Sequence, residues 1–221
     1  MTLWQSFQTN TQRPIHKWKH YFPAYERHFG PLANRTMTFV EIGCGRGGSL
    51  QMWKRFFGPF ATIVGLDINP QCAKFEEDQI HVRIGDQSDS GFLQGILDEF
   101  GIPDGVLDDG SHKMKDVSAS FEFLYPRLGA NSVYMVEDLH TAYMPRAGGG
   151  LRAPASFIER CKTLIDELNG DHAADGGVKA SEVWCPSEHA FSVGVPRRPL
   201  GCRRRVAPLE GPVRDGRVKS G

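Results

Sequence analysis

The chain has 221 residues, 40% hydrophobic and 24% charged, with 26 basic and 26 acidic side chains, the make-up of one globular domain with appendages. No stretch approaches the roughly 20 continuous apolar residues that span a bilayer, and "MTLWQSFQTN" lacks the basic-then-apolar plan of a secretion signal, so a cytoplasmic, non-membrane protein is expected. The zero net charge hides an asymmetry: from Arg197 onward eight basic residues face two acidic ones, leaving a body of charge −6.

In chain order, residues 1–35 read as a helical segment. Trp18, Tyr21, Phe22, Tyr25 and Phe29 form an aromatic stripe, bent or broken by Pro23, that is expected to pack on the main domain rather than bind anything. Residues 36–195 form that domain. "MTFVEIG", "TIVGLDI", "HVRIGD", "GVLDD" and "SVYMVED" read as strands; "SLQMWKRFF" ending at Gly58, the stretch around Val117, Phe121 and Leu124, and the row Phe157, Cys161, Leu164, Ile165 and Leu168 read as helices, the last stopping at Asn169–Gly170. Strand and helix in alternation predict an α/β fold, Rossmann-like and doubly wound, with a mostly parallel sheet. Residues 181–200 offer at most one convincing strand, so an incomplete C-terminal strand pair is expected. Residues 196–221, rich in Pro, Gly and Arg, read as a disordered basic tail; without interleaved aromatics they are not expected to bind nucleic acid. Cys44, Cys72, Cys161, Cys185 and Cys202 show no CxxC spacing and read as reduced.

In such a sheet, ligands lie at the carboxyl ends of the strands. Gly43, Gly45 and Gly48 in "FVEIGCGRGGSL" match GxGxxG, and Asp67 closes the second strand where a carboxylate accepts two ribose hydroxyls. Both suit a nicotinamide dinucleotide as well as S-adenosylmethionine. Glu41 favours the latter, because an acid beside the turn serves an ammonium group and repels a pyrophosphate. Asp86 and Gln87 are placed for an adenine amino group, and no Tyr and Lys pair of the hydride-transfer kind follows.

Together, "EIGCGRGGSLQMWKRFFG", "GLDI", "GDQSD", "DDGSH" and "VEDLHTAY" resemble the class I S-adenosylmethionine-dependent methyltransferases, in particular the metal-dependent macrolide-sugar O-methyltransferases. The resemblance runs from about His16 to Gly170. It implies methyl transfer to a hydroxyl in antibiotic biosynthesis, a magnesium ion held by Asp109, Glu137 and Asp138, and His112 as general base. The residues point the same way. Asp108 and Asp109 end one strand, Glu137 and Asp138 end its neighbour about 5 Å away, and the converging carboxylates need a cation, for which all-oxygen ligation suits magnesium. Asp108 is then expected to face the cofactor and Asp109 the metal. His140 competes with His112 as base, and Tyr143 with the loop "RAGGGLRAP" could wall the acceptor site. A glycoside or related metabolite is the expected acceptor, with homo-oligomerisation left open. The rival readings are an impaired cofactor-binding homologue and an NAD(P)-dependent oxidoreductase.

Overall fold

The computed structural model describes residues 1–168 and the two-residue strand Val213–Arg214. The expected strand within residues 181–200, Cys185, Cys202 and the rest of the basic tail lie outside the described residues.

Five parallel strands form the central sheet: β2 (Met37–Ile42), β3 (Ala61–Asp67), β4 (Ile80–Ile84), β5 (Gly105–Asp108) and β6 (Val133–Val136), in spatial order β4-β3-β2-β5-β6. The α/β reading of the sequence agrees, and all five expected strands are present. The described sheet is entirely parallel. Between them run α3 (Gly48–Phe57), α4 (Ser90–Phe100) and α5 (Met114–Leu124), with α6 (Phe157–Leu168) after β6. Strand order reverses between β2 and β5, which opens a crevice at their carboxyl ends.

Two helices escape the periodicity of the sequence. α1 (Leu3–Gln8) is only six residues long, yet Thr2 and Gln5 cap it reciprocally, each side chain bonding the other's backbone N–H. In α4, Gly91 and Gly95 dilute the apolar pattern, but Asp89 accepts from the N–H groups of Gly91 and Phe92 and fixes its start. Pro23 begins α2 (Phe22–Phe29) rather than bending it, because the first turn has no use for its missing N–H.

The aromatic stripe joins the main core. Trp53 of α3 is fully buried, with ring contacts to Tyr25 and Phe29 of α2, Phe39 of β2 and Phe57. Burying side chains of this size stabilises by roughly 2–3 kcal/mol each, so residues before the sheet are held firmly against it. Between α1 and α2, β1 (His16–Lys17) passes in front of the strand ends and pairs antiparallel with β7 (Val213–Arg214).

Candidate active site

Register brings the site together. Ile42 of β2 pairs with Asp108 of β5, and Asp108 with Val136 of β6. The ladder runs on: Asp109 donates its N–H to Ile42 at 2.9 Å, and Glu137 to Asp108 at 2.9 Å. Gly43, Asp109 and Glu137 are therefore neighbours at one end of the sheet. A Cβ on Gly43 would lie 2.2 Å from the Asp109 carbonyl oxygen, so the glycine turn and the acidic turn touch only because that side chain is missing. Gly48 answers to a different contact: its Cβ would sit 2.3 Å from the Pro14 carbonyl oxygen, where the N-terminal segment crosses the start of α3.

A cavity of about 410 Å³ opens here, walled by residues 14–18, the glycine turn with Ser49, and the acidic cluster Asp109, Glu137 and Asp138 with His112. Asp109 Oδ1 and Asp138 Oδ2 stand 3.7 and 3.8 Å from His112 Nε2. These separations exceed a hydrogen bond, so the three donors face a common space without bonding one another. His112 and Asp138 both hold left-handed backbone, φ 55° and 54°. Strain of this kind persists where the surroundings over-determine a residue's aim, as they do at functional sites.

The N-terminal segment contributes what the sequence reading missed. Lys17 is buried, and its ammonium meets Asp109 Oδ2 and Glu137 Oε1 at 2.7 Å and Glu41 Oε1 at 3.0 Å. Burial disfavours that charge, but Asp109, Glu137 and Glu41 more than offset it and hold the lysine protonated well above its usual range. Tyr25 donates to Glu137 Oε1, and Tyr21 donates to Asp138 Oδ1 at 2.8 Å. Burial, only partly countered by Lys17, raises the Glu137 carboxyl above the ordinary glutamate range. Glu41, Asp109 and Asp138 outnumber the one ammonium even when Glu137 holds its proton, which leaves the pocket short of positive charge.

The other expected site residues divide. Asp67 is half-buried beside the turn: Oδ2 accepts from Gly45 N–H and Oδ1 from Asn69 N–H, both at 2.9 Å. Asp86 is exposed and spends Oδ1 on the N–H and hydroxyl of Ser88. Glu41 is fully buried between Lys17 and Ser49, whose hydroxyl donates at 2.7 Å. Asp108, expected to face the cofactor, does not line the cavity. It points beneath α5, 1% exposed, accepting from Ser120 at 2.7 Å and from Gln87, Tyr134 and the Gly110 N–H at 3.2–3.3 Å. Gln87 turns inward with it, giving its amide to Asp108 while its carbonyl accepts from Ser111 N–H, because a buried carboxylate needs every donor within reach.

Glu137 lines the same cavity but is not one of the three converging donors, and its Oε1 is taken by Lys17 and Tyr25. His140 is exposed, 3.8 Å from Asp138 Oδ1 on the short helix leading away. Tyr143 and the triple-glycine loop do not wall the cavity. That loop is tied to the preceding turn by bonds from Gly149 N–H to Met144 and from Gly150 N–H to Ala142.

A glycine turn after the first sheet strand, an acid closing the next and an acidic cluster across the crevice define a class I methyltransferase fold. Comparison with known proteins supplies the nearer relationship. The chain is 39% identical over 160 residues to the 8-demethyl-8-alpha-L-rhamnosyl tetracenomycin-C 2'-O-methyltransferase of Streptomyces olivaceus, an overlap of 67% of this chain and 41% of that protein. It is 42% identical over 162 residues to the mycinamicin VI 2''-O-methyltransferase of Micromonospora griseorubida, covering 67% and 40%. The solved structure of MycE in complex with Mg, SAH and mycinamycin VI superposes with a TM-score of 0.72 at 32% identity, covering 83% of this chain and 49% of that one. No family-level sequence profile matches. The matched part of the chain is homologous to these O-methyltransferases, and the chain spans about two fifths of their length. Among the described residues no helix is long and apolar enough to cross a membrane.

Proposed function

We propose that the chain transfers a methyl group from S-adenosylmethionine to a sugar hydroxyl of a glycosylated metabolite, with a magnesium ion at the acidic cluster and in the cytoplasm. The observation that carries this reading is the meeting of Asp109, His112 and Asp138, whose donor atoms lie within 4.8 Å of one another on the rim of the cavity that the glycine turn also lines. The carboxylate oxygens of Asp109 and Asp138 and the charge deficit both fit a hard divalent cation.

Asp109 and Asp138 would hold the ion, with Glu137 beside them on the cavity wall. When bound, it would supply the positive charge that makes a sugar hydroxyl easier to deprotonate. Each chain residue then has one task. The glycine turn and Asp67 hold the donor, Asp67 accepting the ribose hydroxyls. Glu41, together with Lys17, sets the charge at the floor of the turn. His112 Nε2 takes the hydroxyl proton as that oxygen bonds to the methyl carbon and the carbon–sulfur electron pair passes to sulfur, leaving S-adenosylhomocysteine. His112 is preferred to His140 as the base because its nitrogen faces both Asp109 and Asp138, whereas His140 faces only the latter.

Calorimetry with the 221-residue chain should detect S-adenosylhomocysteine but neither NAD nor NADP. A panel of glycosides incubated with labelled donor should include an acceptor that gains label. Binding of nicotinamide dinucleotides with no response to S-adenosylhomocysteine would refute the reading. Cofactor binding with no labelled acceptor would favour a cofactor-binding homologue.

A further inference from the structure

The geometry points to Lys17 and Tyr21 as a pair of positioning residues that decide which carboxylate oxygens a divalent ion meets, an inference that rests on the metal-assisted reading above. Each removes one oxygen from one acid. Lys17 Nζ takes Asp109 Oδ2 at 2.7 Å, and the Tyr21 hydroxyl takes Asp138 Oδ1 at 2.8 Å. The oxygens left over, Asp109 Oδ1 and Asp138 Oδ2, are those that stand 3.7 and 3.8 Å from His112 Nε2. Two separate contacts, one ionic and one neutral, thus sort two carboxylates in the same sense.

Carboxylates without such partners rotate freely and offer either oxygen or both. Pinned, each offers one oxygen in a fixed direction, which is what a small ion demanding near-octahedral geometry requires. The partners are themselves held. Lys17 is buried with two further carboxylates on its ammonium, and the Tyr21 oxygen also accepts from Asp138 N–H at 3.2 Å. Tyr21 is joined to the core through its ring contact with Tyr25, which packs on Trp53. The segment before the sheet therefore completes a site whose ligands all come from the sheet's far half.

Charge alone predicts the opposite of positioning. An ammonium beside ligand oxygens repels a cation, so deleting it should tighten metal binding if Lys17 acts only through its field. Mn2+ binding to the full chain, read from the electron paramagnetic resonance signal of the free ion, separates the two. Tyr21→Phe removes one hydroxyl and no charge, and is expected to weaken Mn2+ about ten- to hundredfold, the usual effect of losing such a supporting contact. Lys17→Met is expected to weaken it as well, while S-adenosylhomocysteine affinity of Tyr21→Phe stays within about twofold of wild type. A purely structural role would lower the unfolding midpoint and leave Mn2+ affinity of the folded protein unchanged. Wild-type Mn2+ affinity in Tyr21→Phe overturns the proposal, whether or not Lys17→Met folds. Tighter binding in Lys17→Met overturns it for the lysine. A wild-type chain that binds no Mn2+ overturns the metal reading, and this inference with it.

Discussion

At the outer edge of the sheet Arg83 of β4 holds two carboxylates, Glu76 at 2.7 Å and Glu99 through both its Nε and Nη2; at the strand ends Lys17 holds three. The Arg83 side chain is 31% exposed and the Lys17 side chain 2%. Water can replace any partner at the edge, so the first cluster constrains little. Around the buried ammonium water replaces a lost partner far less readily, and a buried ion pair is a poor stabiliser compared with an apolar core of the same shape. Glu41 and Glu137 are buried around the one lysine and Asp109 is half-buried beside them, an arrangement that adds little stability; under the proposed function the cluster serves a further cation.

The comparison is broken most severely by Lys17→Met. Removing the ammonium leaves Glu41 and Glu137 buried, and Asp109 half-buried, without their shared partner, and should cost about 3–5 kcal/mol in urea denaturation. A loss under about 1 kcal/mol would place the two clusters in one class. Asp67→Ala comes next. Losing the acceptor for two ribose hydroxyls should weaken S-adenosylhomocysteine by about 1.5–3 kcal/mol in calorimetry, and unchanged affinity would remove Asp67 from the cofactor site.

Asp108 sharpens the contrast through pH. Burial raises its carboxyl above the usual aspartate value, against the pull of Ser120, Gly110, Gln87 and Tyr134. A raised folded-state value means that the contribution to stability is full below the unfolded value of about 3.8 and is lost as pH rises through the folded one. The urea midpoint of the chain should carry that downward component above about pH 4, and Asp108→Asn should lack it. Equal slopes in the two proteins would refute the assignment. The smallest effect belongs to the edge: Arg83→Ala should leave the denaturation midpoint and the methyl-transfer rate nearly unchanged, and a large change in either would show that exposure is not what separates the clusters.

These residues also mark what was legible in the sequence. Strand ends could be read because apolar β-rich runs stop at acids, so Asp67, Asp109 and the Glu137–Asp138 pair fell at one end of the sheet once the elements were ordered. Sidedness could not. Whether Asp108 turns toward a ligand or toward α5 depends on Ser120 and Gln87, which lie 12 and 21 residues away and carry no periodic signal. Lys17 was out of reach for the same reason, its partners Asp109 and Glu137 being 92 and 120 residues distant. Tyr21 and Tyr25 were read as packing, which their rings do; the hydroxyls meet acids at a strand end that only the folded chain brings near. The one available hint was a lysine between a buried isoleucine and an aromatic stripe, in "PIHKWKHYF".

The account stands or falls on whether the acidic cluster drives transfer through a cation. Labelled S-adenosylmethionine and an accepted glycoside should be incubated with the chain after exhaustive chelation, and again after magnesium is restored. The account predicts no label in the glycoside without metal and full transfer once it returns. In Asp109→Asn and Asp138→Asn magnesium should restore nothing, and in His112→Ala restored transfer should be about a hundredfold slower than wild type. Undiminished transfer after chelation would contradict it.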